Sequence, residues 1–441
     1  METANLFPEE VRPKADATEA SCRPSGPARV LTADRSQLQW RTCDLESTLP
    51  AEHEARAIWS ALQKLDLGQF YTPIVARGSE PGRPAIDPRI LIALWLYATS
   101  QGEGSAREVA RLCERHDAYR WICGGVSVNH HTLSDFRVDH GAALDELMTQ
   151  VLAVLMQADL IGLDRVAQDG MKTRASAGAA SFRREKSLQE CLQEAREQIE
   201  AVKREAEQPD VQRSARQQAA AARAAREREE RVAAALAELP KARAAKETEQ
   251  AKANARVSTT DAEARVMKMG DGGFRPAYNV QLATDTASRV IVGVDVTNAG
   301  TDQAQTEPML EQIERRTGSK PDEHLVDGGY AKLETIEKTA ADGVTVYAPV
   351  PKPRKEGIDP HQPKPGDSPA VAAWRQRMGT PEAKVIYKQR ASTAETVNAD
   401  LRTWRGLDRF RVRGRPKILC VALWSAITYN LLRGIALGVF A

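Results

Sequence analysis

The sequence is poor in aromatic residues and cysteine, and it carries almost no net charge. Only 5% of its 441 residues are aromatic, and the six cysteines are dispersed. No Cys-x-x-Cys pair or other metal-ligand spacing occurs, so a cysteine-ligated metal site is excluded and a reducing compartment is favoured. The 62 basic and 60 acidic residues nearly cancel. Global charge therefore gives no argument for nucleic acid, and such an argument must come from local patches.

The chain also lacks the marks of a membrane or secreted protein. No run approaches the roughly 18 apolar residues that a spanning helix needs. The first residues show no basic region ahead of an apolar core, so they do not form a secretory signal. The strongly apolar stretch from Ile418 to Leu432 is predicted to be a core helix. We therefore expect a cytoplasmic protein without membrane contact.

Composition and periodicity divide the chain into three parts. The length favours two or three domains. Residues 1–45 are rich in Pro, Ser, Ala and charge and are predicted to be a disordered leader. Residues 46–160 read as an all-helical domain, with cap signals such as Ser105 followed three residues later by Glu108. From residue 161 to 441 strands alternate with helices, which predicts an α/β domain.

The predicted strands of that domain are short or alternate in polarity. They are Leu163–Asp169, Tyr278–Thr286, Arg289–Thr297, His324–Asp327 and Val344–Val350. Residues 183–256, by contrast, are almost all Ala, Glu, Gln, Arg and Lys, which favours helix. We predict a helical insertion between the first and second strands, divided by Pro209 and Pro240. It is interpreted as a solvated arm with internal ion pairs or, alternatively, as an arm that contacts DNA.

Three acidic residues carry the strongest chemical signal. Asp169 closes the first predicted strand, Asp327 follows the short apolar run Leu325-Val326, and Glu395 lies in a helical pattern. Acids at strand ends and on a neighbouring helix can converge, and convergent carboxylates suit magnesium or manganese. Two such ions promote phosphoryl transfer on nucleic acid. Each Asp-Gly pair also suits a plain turn, and Glu311, Glu337 and Glu382 compete with Glu395.

At these positions the chain resembles the DDE class of bacterial insertion-sequence transposases, of the IS-five-like or IS-eleven-eighty-two-like group. Residues 166–175, which read VAQDGMKTRA, are similar to the first acidic motif, and 326–330, which read VDGGY, to the second. The third resembles a Tyr-Arg-Glu-Lys signature and consists of Tyr387, Arg390, Glu395 and Arg402. One extra residue lies between Arg390 and Glu395, and Arg402 stands where lysine is usual.

The resemblance implies a ribonuclease H-like fold with Asp169 on the first strand, Asp327 on the fourth and Glu395 on a later helix. It also implies that these three acids are catalytic and hold Mg²⁺ or Mn²⁺, with two ions expected. The implied partners are double-stranded DNA, as element ends and as target, and further copies of the chain on that DNA. Localisation would be cytoplasmic, in association with the bacterial nucleoid.

Local basic and polar patches supply candidate DNA contacts. Lys172 and Arg174 follow the first acid, Asn398 and Arg402 share a helix face with Glu395, and a basic run follows. The run contains Arg405, Arg409, Arg411, Arg413 and Arg415. Residues 105–138 read as a helix-turn-helix variant in which His131, Thr132 and Arg137 would contact DNA. A solvated charge run and an ordinary helical bundle are the alternative interpretations.

Two other functions fit the same sequence. One is a ribonuclease H-like nuclease without strand transfer, which would share the acids. The other is a non-catalytic DNA-binding or scaffold protein that uses the helical arm as its partner surface.

Overall fold

The N-terminal part of the described chain is a set of helices whose starts are fixed by side-chain caps. A computed structural model describes residues 44–78, 84–206, 214–353 and 357–440. The predicted leader therefore lies almost wholly outside the described residues. Ser105 accepts from the Glu108 amide, as the cap spacing predicts, and Asn129 caps another helix through the Thr132 amide. The helices are α1 Glu54–Leu62, α2 Gly68–Tyr71, α3 Pro88–Ser100, α4 Ala106–Arg115, α5 Asp117–Cys123, α6 His130–Asp139 and α7 Gly141–Gln157.

A mixed sheet follows and makes the fold α/β. Its strands are β1 Arg165–Arg174, β4 Arg265–Lys268, β5 Phe274–Asp285, β6 Ile291–Thr297, β7 Glu323–Leu325 and β8 Thr345–Tyr347, while β2 Phe182–Arg183 and β3 Val257–Ser258 form a separate pair. The order is β4-β5-β1-β7-β8, with β6 also paired to β5. The pairings of β5 with β1, β4 and β6 are antiparallel. β7 runs parallel to both β1 and β8.

The first strand differs from the sequence prediction. It begins at Arg165 and continues to Arg174, so Asp169 lies in the middle of the strand and does not close it. The long antiparallel partner β5 pairs with β1 from Val166 to Arg174 and carries the strand through Gly170. The Asp-Gly pair is therefore not a turn, because cross-strand hydrogen bonding overrides the local turn preference.

The described residues between 183 and 256 are largely helical. They include α8 Glu185–Ala206, α9 Ala215–Ala244 and α10 Glu249–Ala253, which lie between β2 and β3. Leu188, Leu239 and Val257 belong to a small separate core, and ion pairs such as Arg228–Glu194 join α8 to α9. Pro240 lies inside α9, so the predicted break there is wrong. Pro209 lies outside the described residues.

The remaining helices cover the sheet and close the core. They are α11 Thr306–Thr317, α12 Leu333–Ala341, α13 Pro369–Gly379, α14 Pro381–Arg390, α15 Thr396–Thr403 and α16 Arg415–Ala436, with a π-helical turn, Ala391–Glu395, between α14 and α15. Ser368 caps α13, because its side chain accepts from the Val371 amide. By length and composition alone α16 could cross a membrane, but 72% of its apolar window is buried against the rest of the fold. It packs on α3, α7 and β6 as the predicted core helix.

Candidate active site

The strand register brings the first two predicted acids to the same level. In the parallel pair of β1 and β7, Arg165 lies opposite Glu323 and Ala167 opposite Leu325. The two residues of each pair in this register are 158 positions apart in the sequence, and so are Asp169 and Asp327. β7 ends at Leu325, so the edge of β1 beyond Ala167 is not covered by that strand. The two carboxylates therefore share one cavity at this edge of the sheet.

That cavity, of about 650 Å³, is lined mainly by charged side chains. Its acids are Asp169, Asp271, Asp302, Asp327 and Asp408, and its bases are Lys172, Arg174, Lys268, Arg275 and Arg402. Two acids are neutralised by arginine: Asp271 lies 2.7 Å from Arg275, and Asp408 lies 2.6 Å from Arg174. The hydrogen bond from Arg275 lowers the pKa of Asp271 to about 2. The other three acids, Asp169, Asp302 and Asp327, make different contacts.

Two side chains of the helical segment that carries the third motif contact the Asp169 carboxylate. The Asn398 amide donates to Asp169 Oδ2 at 3.0 Å, and Arg390 Nη1 lies 3.5 Å from Asp169 Oδ1. Burial raises the pKa of Asp169, Arg390 opposes that rise, and the charges of Asp327 and Asp302 add to it. A carboxylate in this setting is stabilised in its charged form by a nearby cation.

Asp302 is a site residue that the sequence analysis missed. It lies in the loop between β6 and α11, and its Oδ1 accepts from Asn279 at 2.6 Å and from Gln281 at 2.8 Å. Gln281 Oε1 in turn accepts from Gln168 and from the buried Tyr330 hydroxyl. Because Asp302 stands far from the motifs in sequence and follows no strand directly, no sequence signal identified it.

Glu395 is placed at the end of the π-helical turn and is exposed. It is not among the residues that line the cavity, and neither are Glu311, Glu337 and Glu382. Within the described ranges, no group of three acidic, histidine or cysteine side chains stands close enough to hold a metal ion. The catalytic role of Glu395 stays a prediction.

The donors around Asp169 nevertheless suit a hard divalent cation. Asp169, Asp302 and Asp327 supply carboxylate oxygens to one cavity. The side-chain oxygens of Asn279 and Asn398 are buried and have no hydrogen-bond partner among the described residues. Magnesium and manganese prefer such oxygen ligands, so the residues present fit the metal that the resemblance implies.

Several predicted DNA contacts lie on a connected set of cavities. Lys172, Arg174 and Arg402 line the cavity with the acids. A second cavity, of about 570 Å³, shares Arg174 and adds Arg409 and Arg411. A third, of about 310 Å³, shares Arg411 and is also lined by Arg107, His130, His131 and Arg137. The rings of the adjacent residues His130 and His131 lie 4.1 Å apart.

Other predicted DNA contacts are engaged within the protein or lie elsewhere. Arg405 pairs with Asp400 at 3.0 Å and donates to the Ser100 carbonyl. Arg137 is buried, stacks over Trp95 and donates to the Gly104 carbonyl, and burial lowers its pKa to about 10. Thr132 lines a different and mostly apolar cavity. The exposed residues Arg413 and Arg415 lie near Asp261 and Glu263.

Two family models match the chain. Transposase DDE domain matches residues 242–431, and Transposase domain (DUF772) matches residues 43–139. The first match contains Asp327 and Glu395 but begins within α9 of the helical arm, well after Asp169. No match was found among curated proteins or among solved structures.

Proposed function

The chain belongs to the insertion-sequence transposases of the DDE class, and we propose that it cleaves element ends and joins them to target DNA at the cavity lined by Asp169 and Asp327. It is an enzyme, and its family depends on divalent metal. The observation that carries the proposal is that Asp169 and Asp327 line one cavity, just beyond the parallel pairing of β1 with β7. A pair of half-buried carboxylates at the edge of a sheet is suited to phosphoryl transfer on DNA.

A ribonuclease H-like fold for this domain is part of the proposal. The antiparallel succession β6-β5-β1, followed by the parallel strands β7 and β8, supports it. So do the positions of the acids, with Asp169 on β1 and Asp327 just past β7. The arm between β2 and β3 is then an insertion into this topology.

Asp169 and Asp327, with Glu395 from the helical segment, would hold the divalent ions, Mg²⁺ or Mn²⁺. Bound there, such ions would activate an attacking oxygen and stabilise the leaving oxygen. Arg390 and Asn398 fix the orientation of the Asp169 carboxylate. Lys172 and Arg402 are placed to neutralise the phosphates of a DNA strand in the cavity. Positioning and electrostatics of this kind account for most of the catalysis of phosphoryl transfer.

The π-helical turn supports Glu395 as the third acid. The chain has one more residue between Arg390 and Glu395 than the family signature. A π-helix bonds residue i to i+5, so it takes up one additional residue per turn. Glu395 therefore follows Arg390 by about one turn, as a residue four positions on would in a regular α-helix.

We propose further that DNA runs from the acids to the helical domain along the three basic cavities. Arg174 belongs to the first two cavities and Arg411 to the last two. Among the described residues, no acidic side chain lines the third cavity, where Arg107, Arg411 and two histidines gather. Basic side chains along such a path bind phosphates with the release of counterions.

Arg411→Ala tests this path. We expect weaker binding of element-end DNA, and a slope of log affinity against log salt that falls by about one unit because one phosphate contact is lost. Fluorescence anisotropy at several salt concentrations measures both quantities. The control is Arg223→Ala, which removes an exposed arginine of α9 that lines none of the three cavities. Equal effects of the two variants would contradict the path.

Asp169→Asn and Asp327→Asn test the active site itself. Each should abolish nicking of labelled element ends in Mg²⁺ while binding of the same DNA is retained, because the amide keeps the shape and removes the charge. Asp271→Asn is the matched control, since it removes a charge from the same cavity. Full nicking by the Asp169 or Asp327 variant would refute the proposed site.

The products of the reaction separate the alternatives. Joined DNA identifies strand transfer, whereas nicks without joining identify a nuclease. Binding without any metal-dependent nicking would leave a DNA-binding or scaffold protein. Assembly of several copies on DNA, which the resemblance implies, stays a prediction.

A further inference from the structure

We propose that Asp302 is a further ligand of the divalent cation, an inference that rests on the proposed function of Asp169 and Asp327. Asp302 lines the same cavity as those two acids. None of the three sequence motifs contains it.

The first argument is the charge that Asp302 retains. Asp271 and Asp408, in the same cavity, are each neutralised by an arginine. Asp302 instead accepts hydrogen bonds from two neutral amides, those of Asn279 and Gln281. Both bonds go to Oδ1, so they fix the carboxylate without cancelling its negative charge.

The second argument is the direction in which the other carboxylate oxygen of Asp302, Oδ2, lies. A Cβ built on Gly329 would stand 3.9 Å from Asp302 Oδ2 and 2.9 Å from Asp327 Oδ1. Oδ2 of Asp302 therefore approaches the loop that carries Asp327. A cation between the two acids would be attracted by both, and the attraction is strong in a partly buried site.

A third and independent observation is an unsatisfied amide beside Asp302. Asn279 is fully buried, and its Oδ1 has no hydrogen-bond partner among the described residues. This oxygen lies 2.8 Å, and Asp302 Oδ1 2.3 Å, from where a Cβ on Gly170 would stand. A buried acceptor without a donor costs about 1–3 kcal/mol. A hydrated cation in the cavity above Gly170 would satisfy it.

The loop around Asp302 is also held in place. The Gln168 side chain on β1 donates to the backbone carbonyl of Gln305 at 3.1 Å. The backbone amide of Gln305 donates to the backbone carbonyl of Asp302 at 3.2 Å. Ala304 has a φ of 64°, a conformation that few residues other than glycine adopt. The loop is thus bent into a defined turn that presents Asp302 to the cavity.

Mn²⁺ binding to the DNA-free full-length protein, measured by electron paramagnetic resonance, tests the proposal. Asp302→Asn should weaken binding by about 10- to 100-fold. The amide oxygen that this change introduces still accepts from Asn279 and Gln281, so the fold is kept, and thermal unfolding without Mn²⁺ verifies this. Asp271→Asn removes the same charge from the same cavity and should leave binding nearly unchanged. Glu395→Gln is measured alongside.

The outcomes distinguish this inference from the proposed function. If Asp302→Asn binds Mn²⁺ like the wild type while Asp169→Asn does not, Asp302 only supports its neighbouring amides and the inference fails alone. If the Asp169 and Asp327 variants both bind Mn²⁺ like the wild type, the inference fails and the proposed metal site fails with it. If the wild type binds no Mn²⁺, the inference about Asp302 fails.

Discussion

At the scale of single residues, the core around the site contains polar side chains that apolar packing alone would not select. His324 on β7 is fully buried, and neither ring nitrogen has a hydrogen-bond partner among the described residues. It lies between Val166 of β1 and Val346 of β8 in the register. Burial lowers its pKa to about 4. The imidazole is therefore neutral in the folded protein at neutral pH.

This depressed pKa predicts a loss of stability in acid. The unfolded chain takes up a proton near pH 6.5 and the folded chain only near pH 4, so the free energy of unfolding falls between these values. The difference of about 2.5 pH units corresponds to about 3 kcal/mol. His324→Leu should remove this part of the pH dependence, measured by urea unfolding at pH 7 and at pH 4.5. His131→Leu, at an exposed site, should keep it; equal slopes for His324→Leu and the wild type would contradict the prediction.

The sequence identified Asp169 and Asp327 because each stands in a recognisable local motif. It did not identify Asp302, whose partners Asn279 and Gln281 lie on β5 and reach it only through folding. Similarly, Arg405 and Arg137 are basic residues whose sequence context suggested DNA. In the fold Arg405 donates to the Ser100 carbonyl at the end of α3, and Arg137 donates to the Gly104 carbonyl in the loop that follows.

At the scale of elements, the π-helical turn explains how one segment contacts Asp169 twice. Arg390 precedes the turn and Asn398 follows it, and both reach the same carboxylate. They are eight residues apart, whereas seven residues complete two turns of an α-helix. The π-helical turn accommodates the additional residue, so α14 and α15 keep the same rotational phase.

Deletion of Ser392 should therefore be tolerated. This exposed residue lies within the π-helical turn, and its removal would leave a regular α-helix with the flanking residues in phase. We expect a change in the free energy of unfolding of about 1 kcal/mol or less, with nicking of element ends retained.

The control is deletion of Ala399, an exposed residue within α15. It should rotate the following residues by about 100° and pull the buried Leu401 out of the core, at a cost above about 2 kcal/mol. Chemical denaturation and the nicking assay compare the two deletions. If both were equally harmful, the π-helical turn would not be the place where the additional residue is absorbed.

At the scale of the whole described molecule, α16 joins the N-terminal helices to the sheet. Asn430 is fully buried, accepts from the Ile291 amide at 2.9 Å and donates to the Ile291 carbonyl at 2.7 Å. On the same helix the Trp424 indole donates to the Arg137 carbonyl at 3.0 Å. One apolar core contains residues of the N-terminal helices and of the sheet. The two parts should therefore unfold together.

Asn430→Leu tests this coupling. It leaves the amide and carbonyl of Ile291 buried without partners, which should cost about 2–5 kcal/mol. Because the core is shared, calorimetry should show a single transition moved to lower temperature. Asn254→Leu, at an exposed position just after α10, should leave the transition almost unmoved. Two separate transitions, only one of them shifted, would show that the parts unfold independently.

The sequence by itself determined the helical character of the N-terminal part, the α/β character of the rest and the helical nature of the arm, and it singled out the two aspartates as candidates. Each of these depends on near neighbours: apolar periodicity, caps, composition and short motifs. The tertiary structure alone decided that Asp169 lies within a strand, that Asp302 joins the site and that Arg174 and Arg411 connect three cavities. These features depend on pairing between residues that are far apart in the chain, and local sequence does not encode which distant strand or loop will be the partner.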